Sequence, residues 1–206
     1  MNPQTAAEAK KMLTAVASKA SRFKKISVIV CPPALYIQSL SKLKTEGIRI
    51  GAQNLFWEES GAYTGEISGT MLVNLGIKYA IIGHSERRAM GEIDTMVNNK
   101  VKAALKLGIT PILCIGESIR DDKGEYHHFV REQLTQSLAG LKKSQLKDLI
   151  IAYEPVWAIG KSAVREATPA ESLEMSIFIK KILSDMFGVQ AAKTVTLIYG
   201  GSVTTK

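Results

Sequence analysis

Cross-links and membrane anchors are both scarce in this chain. Only 2 cysteines occur among 206 residues, Cys31 and Cys114, each at the end of an apolar run. A disulfide framework is thereby excluded as the organiser of the fold, and buried thiols in a reducing compartment are expected. No apolar run approaches the roughly 18 residues of a membrane span. Near the N-terminus, Glu8, Lys10 and Lys11 stand where a signal peptide would need its apolar core. A cytoplasmic address with no membrane partner follows as the expectation. The net charge of +8 comes without an arginine-rich run or an aromatic RNA-binding signature, and the lysines are scattered along helical stretches. No nucleic-acid partner is expected, and the positive field suits a small anionic substrate.

What the chain does have is enough apolar residue, 46% against 22% charged, to build one large domain over residues 1–206. Strand-like runs rich in Val, Ile and Leu recur at 26–31, 48–53, 79–83, 110–115, 149–153 and 195–199. Near-continuous apolar runs of this kind are what strands buried on both faces of a parallel sheet require. Amphipathic stretches predict helices at 5–21, 34–46, 68–75, 94–107, 125–141 and 169–187, with Gly47, Gly76, Gly108 and Gly188 placed to end four of them. The alternation gives an α/β class, either a doubly wound sheet or a barrel. Cys31-Pro32-Pro33 replaces the glycine turn that a dinucleotide fold needs after its first strand. Polar residues gather instead at several strand C-termini: Gln53 and Asn54, His84 to Arg88, Glu117, Glu154, and Gly200 to Ser202. A barrel opens all such ends onto one face, so the barrel is favoured.

Three motifs carry chemistry. AYEPVWAIG (152–160) delivers one carboxylate, Glu154, at the end of an apolar strand, where it is costly to desolvate without a role or a partner. Pro155 keeps Glu154 on extended backbone, and the apolar residues behind it look like a segment that closes over something. GHSERR (83–88) brings His84 out at a strand end, with Ser85 reading as the N-cap of a short helix. The positive end of that helix favours a neutral imidazole able to donate to a substrate oxygen; standing alone, the ring could equally be satisfied by local backbone. YGGSV (199–203) suits an anion through close backbone N–H groups and the Ser202 hydroxyl, although Gly-Gly-Ser is also an ordinary turn.

Together with GAQNLFWEESGAYTGEIS (51–68) and CIGE (114–117), these motifs in this order resemble the triosephosphate isomerase family over essentially the whole chain. The resemblance implies a (β/α)8 barrel of which strands two to seven are present. It implies interconversion of dihydroxyacetone phosphate and glyceraldehyde 3-phosphate, a step of glycolysis and gluconeogenesis. Glu154 matches the base that shuttles a proton through an enediol, and His84 the electrophile at the substrate carbonyl. Glu86, Ser85 and Cys114 match supporting positions, Gly160 and Ser202 phosphate-binding positions, and residues 155–168 a mobile lid. No metal or organic cofactor is implied. The long loop 54–67 matches a segment that inserts into a second subunit near Thr64, which implies a homodimer; read by itself, it is a surface loop.

Departures accompany the match. The family's first strand, with a substrate-binding asparagine and lysine, should precede Met1, and its eighth strand should follow Lys206. The expectations are therefore an incomplete sequence, open strand edges at 26–31 and 195–199, and little activity should these residues be the whole protein. The lid tip reads Gly160-Lys161-Ser162 where the family pattern has Thr-Gly and is shorter. Two rival readings are another phosphate-binding barrel enzyme and a non-catalytic remnant that retains phosphate binding. His127 and His128 lack ligand partners at metal spacing and read as a solvated helix face.

Overall fold

A computed structural model describes residues 1–43, 45–160 and 163–203. Lys161 and Ser162, in the expected lid, lie outside the described residues. The chain divides into two compact units, one of residues 1–81 and 103–110, the other of 82–102 and 111–206.

In the first unit, helix α1 (Ala6–Ala20) starts where the Thr5 hydroxyl accepts the Glu8 N–H at 3.1 Å. Its apolar stripe, with Ala9 and Leu13 fully buried, packs on Tyr36 and Leu40 of helix α2 (Ala34–Ser41). Val30 of strand β1 (Val28–Val30) and Ile48 and Ile50 of strand β2 (Ile48–Ile50) pack against the same cluster. β1 and β2 pair in parallel with Val28 opposite Ile48. Beyond β2, Ala52 donates to the Tyr79 carbonyl at 2.8 Å and accepts from Ile81 at 2.9 Å, which ties this run to strand β3 (Tyr79–Ile82). Helix α3 (Gly69–Asn74) lies between them, capped by the Ser68 hydroxyl.

The loop before α3 is well tied down. Phe56 donates to the Ile67 carbonyl at 2.8 Å, and its ring meets those of Trp57 and Tyr63 at 4.1 and 4.7 Å. Glu59 accepts from Lys106 at 2.6 Å through its carboxylate and from the Thr70 hydroxyl at 2.9 Å through its carbonyl. Thr64 sits at the exposed end of this folded loop.

In the second unit the order is helix α4 (Ser85–Ala89), helix α5 (Asp94–Lys106), strand β4 (Thr110–Ile115), helix α6 (Glu125–Ser137), strand β5 (Ile150–Tyr153), helix α7 (Pro169–Phe187), helix α8 (Val189–Thr194) and strand β6 (Thr196–Tyr199). α5 and β4 each run across the division between the units. β5 lies between β4 and β6, parallel to both. The register sets Ile115 opposite Tyr153 and Tyr153 opposite Tyr199, so three strands end level with one another. Whatever follows those ends, Gly116, Glu154 and Gly200, is thereby brought together.

Burial on both faces holds for β4 and β5 but not throughout. β6, bonded to β5 on one side, alternates between exposed and half-buried residues, and Ile198 is 43% exposed. Helix α2 stops at Ser41 rather than extending over 34–46, and α6 at Ser137 rather than 141. Helix α8 and two short 3₁₀ turns, Lys143–Asp148 and Val156–Ala158, carry no periodicity long enough to announce them. Cys114 is buried and Cys31 half-buried, and burial pushes the Cys31 thiol up to about 11. Among the described residues no helix is long and apolar enough to cross a membrane.

Helix α7 begins with a reciprocal cap: the Thr168 hydroxyl accepts the Glu171 N–H, and the Glu171 carboxylate accepts the Thr168 N–H at 2.8 Å. Arg165 bonds the same carboxylate at 2.5 and 3.0 Å and, with Thr168, holds it down at about 2 from an ordinary 4.5. Because the folded-state value is the lower one, the stabilisation is present above pH 4.5 and is lost as pH falls toward about 2. Thr168→Ala is expected to cost about 1 kcal/mol in urea unfolding at neutral pH, with a smaller difference between the two proteins at pH 3 than at pH 7.

Candidate active site

The aligned strand ends explain how a carboxylate can be held out of water at residue 154. Beyond β4 and β5 the ladder continues, with Glu154 N–H donating to the Ile115 carbonyl at 2.7 Å and Val156 N–H to that of Glu117 at 3.0 Å. Gly116 lies between these bonds, and a Cβ on it would collide with the Glu154 carbonyl oxygen. On the other side, a Cβ on Gly200 would come within 2.9 Å of Glu154 Cγ. Glycine at both neighbouring strand ends leaves room for the acid between them. Glu154 is 5% exposed.

Its oxygens are both used. Oε2 accepts the Ser85 N–H at 3.0 Å, and Oε1 lies 3.1 Å from His84 Nε2. His84 Nδ1 accepts the Glu86 N–H at 3.2 Å, so the ring proton sits on Nε2, the nitrogen facing the acid. Here the structure corrects the sequence reading of the short helix. Its N-cap is His84, not Ser85, because the imidazole itself takes the first-turn N–H, while Ser85 spends its own N–H on Glu154.

The backbone before His84 is fixed from two sides. Gly83 adopts φ +71, and its N–H donates to Glu92 Oε1 at 3.1 Å while its carbonyl accepts from Arg88 Nε at 2.8 Å. Glu92 is itself buried and bonded by Arg87 at 2.8 Å and by Lys100. Burial alone would raise its pKa, but the hydrogen bonds and charges of Lys100 and Arg87 prevail and hold it below its ordinary value.

Behind Glu154, Pro155 leads into the turn Val156–Ala158, with Trp157 and Ala158 buried. Trp157 Nε1 and the Tyr153 hydroxyl both donate to Glu117 Oε1 at 2.8 Å, and Arg120 reaches the same oxygen at 3.4 Å. Burial, followed by the Glu117 charge, pushes the Tyr153 hydroxyl far up. Arg120 continues to Glu174 at 2.6 Å and lies over the Tyr126 ring. His127 belongs to this network, 3.1 Å from Glu174 and stacked between Tyr126 and Phe178, so its face is not simply solvated. Arg165 covers the Trp157 ring at 4.6 Å and anchors the far side of the lid segment to α7 through Glu171.

Of the expected site residues, Glu154, His84 and Ser85 are in direct contact, and Glu86 Oε2 stands 3.9 Å from His84 Nδ1 on the exposed side. Cys114 is buried in β4 opposite Ala152, two residues before Glu154, with its Sγ 4.0 Å from the Ile112 carbonyl. Gly160 and Ser202 are both exposed, and it is Gly200 of YGGSV that touches the acid. Thr64 belongs to the other unit. Sequence reading overlooked Gln133, 3% exposed, whose Oε1 accepts the Gly116 N–H at 2.8 Å. Its signal was a glutamine beside the apolar Val130 and Leu134, at the helical spacing of α6.

The family model described as triosephosphate isomerase matches residues 1–206. The chain belongs to the triosephosphate isomerase family. It is 46% identical over 179 residues to a triosephosphate isomerase of Moorella thermoacetica, an alignment that covers 85% of this chain and 71% of the relative. It is 45% identical over 180 residues to one of Clostridium novyi, with the same coverage. With one of Dictyoglomus thermophilum it shares 39% over 204 residues, 97% of this chain and 81% of the relative. Membership gives the fold class as α/β of the TIM (β/α)8 type, in agreement with the parallel strands described above.

Gly116→Ala tests the packing around the acid. The added methyl must push the Glu154 backbone aside, so kcat is expected to fall about 10²-fold and urea stability by about 1–3 kcal/mol, measured on the same folded sample.

Proposed function

We infer that this chain interconverts dihydroxyacetone phosphate and glyceraldehyde 3-phosphate, and the observation that carries the mechanism is the contact of Glu154 with His84 Nε2 at 3.1 Å. In the free protein the acid and the imidazole N–H satisfy each other. A bound triose phosphate takes their place: Glu154 accepts a proton from the carbon next to the carbonyl while His84 Nε2–H donates to the carbonyl oxygen. With the Nε2 proton passed to that oxygen an enediol forms, and it collapses when the hydroxyl on the deprotonated carbon gives its proton back to His84 Nε2 and Glu154 returns its proton to the former carbonyl carbon. Burial of Glu154 and the apolar segment 156–159 keep water from the intermediate. The Ser85 N–H and the Glu86 N–H are positioning groups, one on each partner of the pair.

The phosphate is assigned to the backbone around Gly160 and to Ser202, supported by the place of YGGSV directly after β6 and by Gly200 against Glu154. The reading places the reaction in glycolysis and gluconeogenesis and the protein in the cytoplasm. It also makes the folded loop 54–67, with Thr64 at its exposed end, the contact with a second copy in a homodimer. Residues 1–206 form one domain in this reading, since α5 and β4 each belong to both units.

A coupled assay starting from glyceraldehyde 3-phosphate, combined with deuterium exchange at the triose carbon, tests the roles. Glu154→Gln is expected to lose about 10²–10⁴ in kcat together with the exchange, and His84→Gln about 10²–10³ with less effect on KM. Isomerisation at the unsubstituted rate in Glu154→Gln would remove Glu154 from the role of base.

A further inference from the structure

A pocket of ≈ 220 Å³ opens beside Glu154, walled by the end of β4, α4 and α6. Its lining combines apolar Ile115, Phe129 and Val156 with polar Ser85, Ser118 and Gln133. Gln133 is 3% exposed, and its orientation is fixed: only the amide oxygen can accept the Gly116 N–H at 2.8 Å, so Nε2 is turned the other way. Among the described residues nothing accepts from that nitrogen, and it is not sealed from solvent. A solvent-reached amide donor is thus available to an occupant of the pocket that Gln133 lines.

The charges select the ligand. Arg88, in the wall, is paired through Nη1 with Asp94 at 2.6 Å and bonded through Nε to the Gly83 carbonyl at 2.8 Å, while its Nη2 is buried without a partner and sealed from the pocket's solvent. Glu154 is held by an amide N–H and the Nε2–H of His84 and by no Lys or Arg among the described residues, whereas Arg88 has the Asp94 carboxylate as its counter-charge. An anion is repelled, whereas a neutral carbonyl can accept from Gln133 Nε2 while a flat apolar body lies against Phe129 and Val156. We propose that this pocket is a second binding site, for a small neutral molecule that joins a flat apolar body to a carboxamide or ketone oxygen. An occupant also touches Glu154 and Val156, the start of the lid, and so lowers turnover without competing for the triose phosphate. This effect on turnover, unlike the binding, rests on Glu154 being the base.

Benzamide is the probe, titrated against the full chain by ligand-observed NMR with and without saturating inorganic phosphate. Saturable binding that phosphate does not displace is expected, with benzoate about tenfold weaker because of Glu154. Ala89→Phe narrows the pocket from an exposed position on α4, outside the catalytic groups, and is expected to weaken benzamide about tenfold. In the coupled assay benzamide is expected to lower kcat and leave KM unchanged, except in Ala89→Phe. The site is overturned by absence of saturable binding, by displacement with phosphate, or by equal binding to Ala89→Phe. Binding to the intact chain with kcat unchanged overturns the coupling alone. Glu154→Gln that has lost turnover but still binds benzamide leaves the site standing, so the two readings fail separately.

Discussion

A carboxylate taken out of water at the end of β5 is the constraint on which the rest of the second unit depends. Burying an ionised acid costs several kcal/mol unless donors replace its water. Glu154 is supplied with two, the Ser85 N–H and His84 Nε2. Both come from one hexapeptide, GHSERR, and its position is set by Gly83, whose backbone is clasped by Glu92 and Arg88. The buried Glu92 in turn needs Arg87 and Lys100. The chain of requirements runs from a single buried acid through a histidine to the ion cluster of Arg87 on α4, Glu92 and Lys100 on α5.

Space is the second half of the same constraint. Parallel strands in register bring their ends level, and side chains on all three would crowd the centre strand. Gly116 and Gly200 remove that crowding, and Gln133 then closes the hydrogen bonding that the ladder leaves open at the Gly116 N–H. Behind Glu154, Glu117 gathers Tyr153, Trp157 and Arg120 onto one oxygen, so the segment following the acid is joined to the same strand ends that hold the acid. The acid and the segment that follows it therefore share one set of neighbours.

Much of this was legible in residues. The apolar runs gave β4 its bounds and α7 both ends, because length and periodicity are strong there. Glu154 and His84 stood out as polar groups at apolar strand ends, and their motifs carried the family. Less legible were the short elements, where one turn offers no period to read, and the N-cap at His84, where the side chain doing the capping is one that also faces Glu154. Gln133 looked like an ordinary polar residue near an apolar stretch, and only its burial marks it as a partner.

What the sequence by itself determined was the βα alternation, the acid and the imidazole, and the family to which they belong, since these depend on residue type and local spacing. What only the tertiary structure decided was the register that sets Ile115, Tyr153 and Tyr199 level, the glycine-lined gap around Glu154 and the orientation of the Gln133 amide. The physical reason is that these are relations between segments tens of residues apart. They are fixed by steric exclusion and by the need to pair every buried donor and acceptor, conditions that exist only once the strands lie beside one another.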